Sequence, residues 1–335
     1  IMETQAGIPA IPLLATLLLL LVFIVLAFRE ARKTTDLHRF FMFGPDFKGY
    51  DFSATLVATN AGLSGAFVLI LYYGYIYGFA VFPWVWGFWF LTQYASRWTI
   101  IRTEAIAAND GGWLANFGTL HEFIGARFQS SAARRYAGVL SSFAYVGLIS
   151  CELLLAYQLV VYFIQSSTNL PFTSLQVYPA AFIVMVFLCI LVYTAMAGYR
   201  GVVQTDVMQL VIMTFMLVAL AVFLIANFSN INMHYEQAFR PLPQGFLNPD
   251  GKGTGLYLSF LLSNLFFWGL WWPGAMDQWQ RCAATKSVKG ALDPIWGTTG
   301  IVPTVYFGAI SLLFVGAGVW MATNVPNSSL GPELL

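Results

Sequence analysis

The stretch from Asp51 to Gly78, DFSATLVATNAGLSGAFVLILYYGYIYG, constrains the fold more than any other part of the sequence. It is longer than the about 20 residues that a helix needs to cross a bilayer. Between Ala58 and Ala66, however, Leu63 is the only large apolar residue. Glycine is about 1 kcal/mol worse than alanine inside a helix, and Ser, Thr and Asn side chains compete for backbone hydrogen bonds. The sequence therefore predicts a spanning helix that is weakened near its middle.

Two interpretations of this weakened span stay open when it is taken alone. Small residues allow another helix to pack closely against it. Alternatively, an interrupted helix frees backbone carbonyl oxygens inside the membrane, and transporters use such oxygens to hold an ion.

The composition is that of a membrane protein. Of the 335 residues, 59% are hydrophobic and 9% are charged, whereas soluble chains carry about 25% charged residues. We therefore predict an all-α integral membrane protein in a single membrane domain, 1–335. Its eight transmembrane helices are expected at 9–28, 52–78, 80–100, 138–164, 178–196, 206–226, 257–276 and 294–322.

The basic residues predict the orientation of these spans. Every Lys and Arg except Arg240 and Lys252 falls in loops on one side, which the positive-inside rule places in the cytoplasm. The N-terminus is then outside, and we expect the cell membrane as the location. The sequence contains no dense basic cluster that would indicate nucleic acid. It also contains no nucleophile–base pair, metal-binding spacing or phosphate loop, so we do not expect an enzyme or a bound cofactor.

A second weakened span lies at 257–276, where Asn264 is at mid-depth and Pro273 interrupts the helix. It runs inward, whereas 52–78 runs outward, and this pairing is typical of an inverted repeat with a binding site between the broken helices. Aromatic rings near Asn264 either line a cavity for a small polar solute or form an interfacial belt. These rings belong to Phe266, Phe267, Trp268, Trp271 and Trp272.

Polar residues inside other spans are further candidates, because ionisable groups are costly in a membrane. Glu152 and Gln158 lie in the span 138–164. Each is either a structural polar group with a partner or a contact for a proton or solute. Asp206 lies at the predicted start of the sixth span, where it either caps the helix or serves as a station for a departing cation.

Four segments together resemble the sodium:solute symporter family, which includes the sodium–glucose and sodium–proline cotransporters. RKTTDLHRFFMFG resembles the loop before the family's first broken helix, and TLHEFIGARF resembles its Thr-Leu-Pro-Glu-Phe segment. AGYRGVVQTDVMQ is similar to the family's Gly-Gly-Leu signature. The fourth segment, SNLFFWG with DQWQRCAATKS, is similar to the Asn-Leu-Tyr-Tyr-Trp-Gly and Gln-Arg motifs of the sugar branch.

The resemblance implies a coupling ion, Na⁺, held by the backbone carbonyls of Ala58 and Ala61. Asn60 matches a polar residue next to that ion, and Asp206 matches a carboxylate on the cytoplasmic exit of sodium. On the solute side, Asn264 matches a solute contact, Phe267 stands where the family has a Tyr gate, and Trp268 is beside them.

The resemblance also implies an extra N-terminal helix (9–28), a five-helix repeat (52–226) and an inverted repeat, of which 257–322 supplies two helices. We therefore expect a C-terminally incomplete copy of the family's fold. The leading hypothesis is sodium-coupled symport of a small polar organic solute by alternating access. The alternative is a transporter-like sensor or accessory membrane subunit without turnover, with another subunit covering the incomplete repeat.

Overall fold

The computed structural model of the chain describes residues 7–34, 36–42, 47–62, 67–108, 112, 117–166, 174–176, 179–228, 274–285 and 287–324. Helices form nearly all of this part of the chain. They are α1 (Ala10–Ala31), α2 (Leu37–Met42), α3 (Gly49–Asn60), α4 (Ile70–Tyr77), α5 (Phe82–Ala107), α6 (Leu120–Arg127), α7 (Ser131–Ser166), α8 (Pro179–Phe228), α9 (Met276–Ala284), α10 (Val288–Ala291) and α11 (Ile301–Asn324).

The described helices confirm an all-α membrane protein. Four segments are long and apolar enough to cross a membrane, at Leu14–Ala31, Ser131–Val161, Ala180–Asn227 and Ile301–Ala322. They correspond to five of the predicted spans, because Ala180–Asn227 contains two of them. Helix α5 covers the predicted span 80–100 and continues to Ala107. The predicted span 257–276 lies almost entirely outside the described residues.

The predicted fifth and sixth spans are present, but the connection between them is a kink at one residue and not a loop. Helix α8 continues from Pro179 to Phe228 with a single non-helical residue, Gly198, at φ 60° and ψ −150°. Residues that carry a side chain rarely adopt this backbone conformation. A Cβ atom at Gly198 would also lie 2.3 Å from the carbonyl oxygen of Phe40. The chain therefore turns at one glycine, where the polar residues that follow it had suggested a loop.

Contacts divide the chain into two compact units, and the first comprises Ile1–Gly44, Leu140–Asp206 and Pro332–Leu335. It contains a buried ion pair in which Arg200 Nε donates to Glu30 Oε2 over 2.7 Å. It also contains a small antiparallel pair of strands, β1 (Gly7–Pro9) and β2 (Ser174–Gln176), with Ile8 opposite Leu175. These strands are an addition to the all-helical prediction.

The second unit comprises Pro45–Val139 and Val207–Gly331, and α3 lies at its core. Every residue from Asp51 to Ala58 is buried, so the middle of α3 is enclosed on all its faces. Its polar side chains have partners far along the chain: Ser53 Oγ donates to Trp296 O over 2.6 Å, for example. Burial of a polar residue is tolerated when its hydrogen-bonding group is satisfied in this way.

Two glycines allow α4 and α11 to meet backbone to backbone. A Cβ atom on Gly74 would lie 2.4 Å from Val315 O, and one on Gly318 would lie 2.1 Å from Leu71 O. Such separations are far below van der Waals contact, and the neighbouring atoms belong to backbone that cannot rotate away. Small residues at these positions are therefore required for this packing.

We expect Gly318→Ala to destabilise the protein by about 1–3 kcal/mol, the usual cost of overpacking. Gly87→Ala in α5 is the matched control, because a Cβ atom there meets nothing within 4 Å. It should be neutral or stabilising by up to about 1 kcal/mol. Thermal melting of the purified variants in detergent measures both effects. Equal melting temperatures for the two variants would contradict the close contact.

Candidate ion and solute site

Helix α3 ends inside the second unit, at the point where the sequence predicts a break. Its last residue is Asn60, and Ala61 leaves the helix with φ −85° and ψ 43°. A wider π-helical turn at 67–69 then leads into α4. The prediction that the span 52–78 is interrupted is therefore confirmed. Residues 63–66 lie outside the described part of the chain.

The end of α3 brings together the predicted sodium ligands. Ala58 and Ala61 are buried, with 9% and 4% of their surface exposed. The Ala61 N–H donates to Val57 O over 2.8 Å, which is the last helical bond of α3. The carbonyls that follow, from Ala58 onward, lack the amide partner that a continuing helix would supply. Backbone oxygens at the buried end of a helix are suitable donors for a hard cation such as Na⁺.

Asn60 stabilises this end of the helix. Its Nδ2 atom donates to Leu56 O over 2.6 Å, so the side chain folds back onto the last turn of α3. This bond orients the turn from which the Ala58 carbonyl projects. In this structure Asn60 is therefore a positioning residue for the helix end.

The second predicted break is only partly covered by the structure. The predicted solute contacts Asn264, Phe267 and Trp268 lie outside the described residues. The described chain begins again at Gly274, and Ala275 is extended, with φ −74° and ψ 134°, before α9 starts at Met276. The helical path is thus interrupted at Ala275, at the C-terminal end of the predicted span.

Asp206 is not a helix cap, as one interpretation proposed. Because α8 resumes immediately after Gly198, Asp206 lies about two turns inside a continuous helix. It is 5% exposed and has interaction partners within the protein. Its role in sodium exit stays a prediction.

Glu152 and Gln158 lie on α7 and are both half-buried. Glu152 also has an interaction partner in the protein. The functional roles of both side chains stay predictions.

Arg281 is a residue whose role the sequence analysis missed. It is 2% exposed, and its guanidinium reaches from α9 to α3. Nε donates to Thr55 Oγ1 over 3.3 Å and Nη2 donates to Thr59 Oγ1 over 2.6 Å. Nη1 pairs with Asp277 Oδ2 at 2.5 Å, which offsets the buried charge. Arg281 thus holds α9, the helix after the second break, against α3, the helix before the first break.

The sequence does carry a signal for this contact. Asp277 and Arg281 are four residues apart on one helix, and so are Thr55 and Thr59 on another. Residues at this spacing share a helix face. Only the structure reveals that these two faces meet, because the pairing joins residues more than 220 positions apart.

Thr119 caps the start of α6, as its three-residue spacing to Glu122 predicts. Thr119 Oγ1 accepts a hydrogen bond from the Glu122 N–H over 3.2 Å at the start of α6. Glu122 also accepts from Arg134 Nη2 over 2.9 Å. The TLHEFIGARF segment therefore forms the short surface helix that its spacing predicts.

These features define a class of protein. An all-α membrane protein with a helix interrupted in its interior is typical of secondary transporters. The chain belongs to the sodium:solute symporter family, whose family model matches residues 40–333. Comparisons with curated proteins and with solved structures give no match. The family supports sodium-coupled solute transport, and it is a family of transporters, not of enzymes. It does not favour the alternative of a sensor or accessory subunit.

Cys282 offers a way to test the contact made by Arg281. Burial raises the pKa of its thiol to about 12, although the charge of Arg281 opposes that rise. At pH 8 about one thiol in ten thousand is then ionised, and only the thiolate reacts with maleimide. Cys282 should therefore be inert in the folded protein.

We expect Arg281→Gln to increase the rate at which N-ethylmaleimide labels Cys282, because loosening α9 from α3 exposes the thiol, and this outweighs the loss of the Arg281 charge, which by itself would raise the thiol pKa further. The experiment uses a background in which Cys151 and Cys189 are serine, since Cys151 is exposed and Cys189 half-buried. Arg134→Gln is the control, because that arginine forms a surface ion pair elsewhere. An unchanged labelling rate in Arg281→Gln, measured by mass spectrometry, would refute the role of Arg281.

Proposed function

We propose that this protein carries a small polar organic solute across the cell membrane together with Na⁺, by alternating access. One observation carries the proposal: α3 ends at Asn60, and the two predicted sodium ligands beside this end, Ala58 and Ala61, are both buried. A helix end in the interior leaves carbonyl oxygens that need a partner, and a cation supplies one.

In the proposed site, the carbonyl oxygens of Ala58 and Ala61 hold Na⁺, and Asn60 orients them through its bond to Leu56 O. Asn264, Phe267 and Trp268 contact the solute, with the amide supplying hydrogen bonds and the rings covering apolar surface. Asp206 is proposed as a carboxylate that Na⁺ passes on its way to the cytoplasm.

The proposed layout follows the family resemblance. It has an extra helix at 9–28, a first repeat at 52–226 and the start of an inverted repeat at 257–322, with the N-terminus outside. Coupling arises because Na⁺ and solute bind one conformation better than the other, so that each increases the affinity for its partner.

In this scheme, the contacts of Arg281 must change before Na⁺ and solute can move toward the cytoplasm. The guanidinium holds α9 against α3 through Thr55 and Thr59. Each hydrogen bond from a charged donor is worth about 1.5–3 kcal/mol. Because binding of Na⁺ and solute can bias an equilibrium of that size, the Arg281 contact is a suitable point of control.

The decisive experiment is uptake by the full-length protein in proteoliposomes, with an inward Na⁺ gradient and with K⁺ in its place. A panel of radiolabelled sugars, amino acids and polyols identifies the solute. We expect uptake of one class only when Na⁺ is present. Uptake that is indifferent to Na⁺ over a wide concentration range would overturn the proposal.

Asn60→Ala should raise the Na⁺ concentration needed for half-maximal uptake, because the last turn of α3 loses its side-chain bond. Asn227→Ala is a closely matched control. Asn227 also donates from Nδ2 to a carbonyl four residues earlier, Phe223 O, over 2.7 Å near the end of its helix. If both variants change the Na⁺ dependence equally, the effect is general helix fraying and Asn60 has no special relation to the ion.

A further inference from the structure

A small cavity with several polar side chains in its wall lies between α5 and α9. Its volume is about 20 Å³, and its wall is formed by Ser96, Thr99, Ile100, Thr103, Gln278, Trp279 and Cys282. A cavity needs about 10–15 Å³ to hold one water molecule. The space therefore fits a single water-sized group.

Gln278 is the unusual member of this wall. Its side chain is 4% exposed, and neither its Oε1 nor its Nε2 has a hydrogen-bond partner in the described protein. Leaving a buried polar group unsatisfied costs about 1–3 kcal/mol, so such a group normally has an occupant to bond. The amide can both donate to that occupant and accept from it.

The opposite wall supplies acceptors. Ser96 Oγ donates its proton to Thr92 O, and Thr99 Oγ1 donates its proton to Ala95 O, each over 3.0 Å. Their remaining lone pairs accept hydrogen bonds from a molecule in the cavity. The occupant must therefore both donate and accept.

Charge decides between the possible occupants. Cys282 is the only ionisable residue of the wall, and it is neutral at pH 7 because burial raises the pKa of its thiol to about 12. A bare cation in such a neutral site would lose several kcal/mol of hydration without a carboxylate to offset it. An anion would face the hydroxyl oxygens of Ser96 and Thr99, whose protons are already donated to backbone carbonyls. A neutral donor–acceptor group satisfies every partner.

We infer that this cavity is a binding site for one neutral hydrogen-bonding group, held between the Gln278 amide and the hydroxyls of Ser96 and Thr99. Two sources supply that chemistry: a resident water molecule, or a hydroxyl or amide group of a solute on the cytoplasmic side. The existence of the site does not depend on the proposed transport function.

Hydroxyl-radical footprinting of the full-length protein tests the site, because water bound inside a protein generates radicals next to its neighbours. Trp279 lines the cavity and is 6% exposed, whereas Trp89 is 8% exposed but stacks on Phe307 with ring centroids 4.3 Å apart. We expect Trp279 to be oxidised several-fold faster than Trp89. Equal rates in the wild-type protein would overturn the inference.

Two variants test whether the Gln278 amide is responsible for the faster oxidation of Trp279. Gln278→Leu keeps a similar volume but cannot hydrogen-bond, so the Trp279:Trp89 oxidation ratio should fall toward one. Lys289→Gln, an exposed substitution in the same cytoplasmic segment, should leave the ratio unchanged. A ratio that Gln278→Leu does not lower would refute the role of the amide. If Gln278→Leu does not fold, the wild-type comparison decides.

Added solutes distinguish the two sources. The ratio is measured with Na⁺ and either D-glucose, as a hydroxyl probe, or urea at a non-denaturing concentration, as an amide probe. A ratio that stays high supports a resident water molecule. A ratio that falls supports displacement of that water by a polar group of the solute. Oxidation of Trp89 in the same sample corrects for radical scavenging by the probe.

Discussion

The interruption of a buried helix is the constraint on which the second unit depends. Backbone carbonyls cost free energy when they are buried without partners, and α3 ends between two buried residues, Ala58 and Ala61, although Thr59 is exposed. The protein meets this constraint in two ways. Asn60 adds a side-chain hydrogen bond to Leu56 O that fixes the last turn, and a cation is the proposed partner of the carbonyls that have no intrahelical amide.

The same region shows how polar groups are used to fix a packed core. Helix α3 carries Ser53, Thr55 and Thr59, which would favour water if they had no partners. They bond instead to the backbone of Trp296 and to the guanidinium of Arg281. Apolar packing alone tolerates sliding and rotation, whereas these directional bonds define one register of α3 against its neighbours.

Much of this architecture could be predicted from local sequence. The lengths of the apolar runs anticipate α5, α7 and α11, and the Thr119–Glu122 spacing anticipates the start of α6. The cluster of small and polar residues after Ala58 anticipates the end of α3. Each of these features depends on residues within one or two helical turns, where propensity and hydrogen-bonding competition act directly.

The remaining features could not be predicted, because they depend on contacts between residues that are far apart in the sequence. Arg200 looks like a loop residue, but Glu30, which is 170 positions away, accepts its hydrogen bond and makes its burial in α8 acceptable. The sequence likewise gives no means of finding that Arg281 contacts Thr55 and Thr59. The pairing of β1 with β2 is a further contact between segments that are distant along the chain.

The glycine contact between α4 and α11 has a mechanical consequence. With Gly74 and Gly318 bringing the two backbones together, neither helix can tilt without carrying the other. On the other side of the interruption, Arg281 and Trp296 hold α3 to a different set of neighbours. Any rearrangement of the second unit therefore has to move α4 and α11 together, as one body.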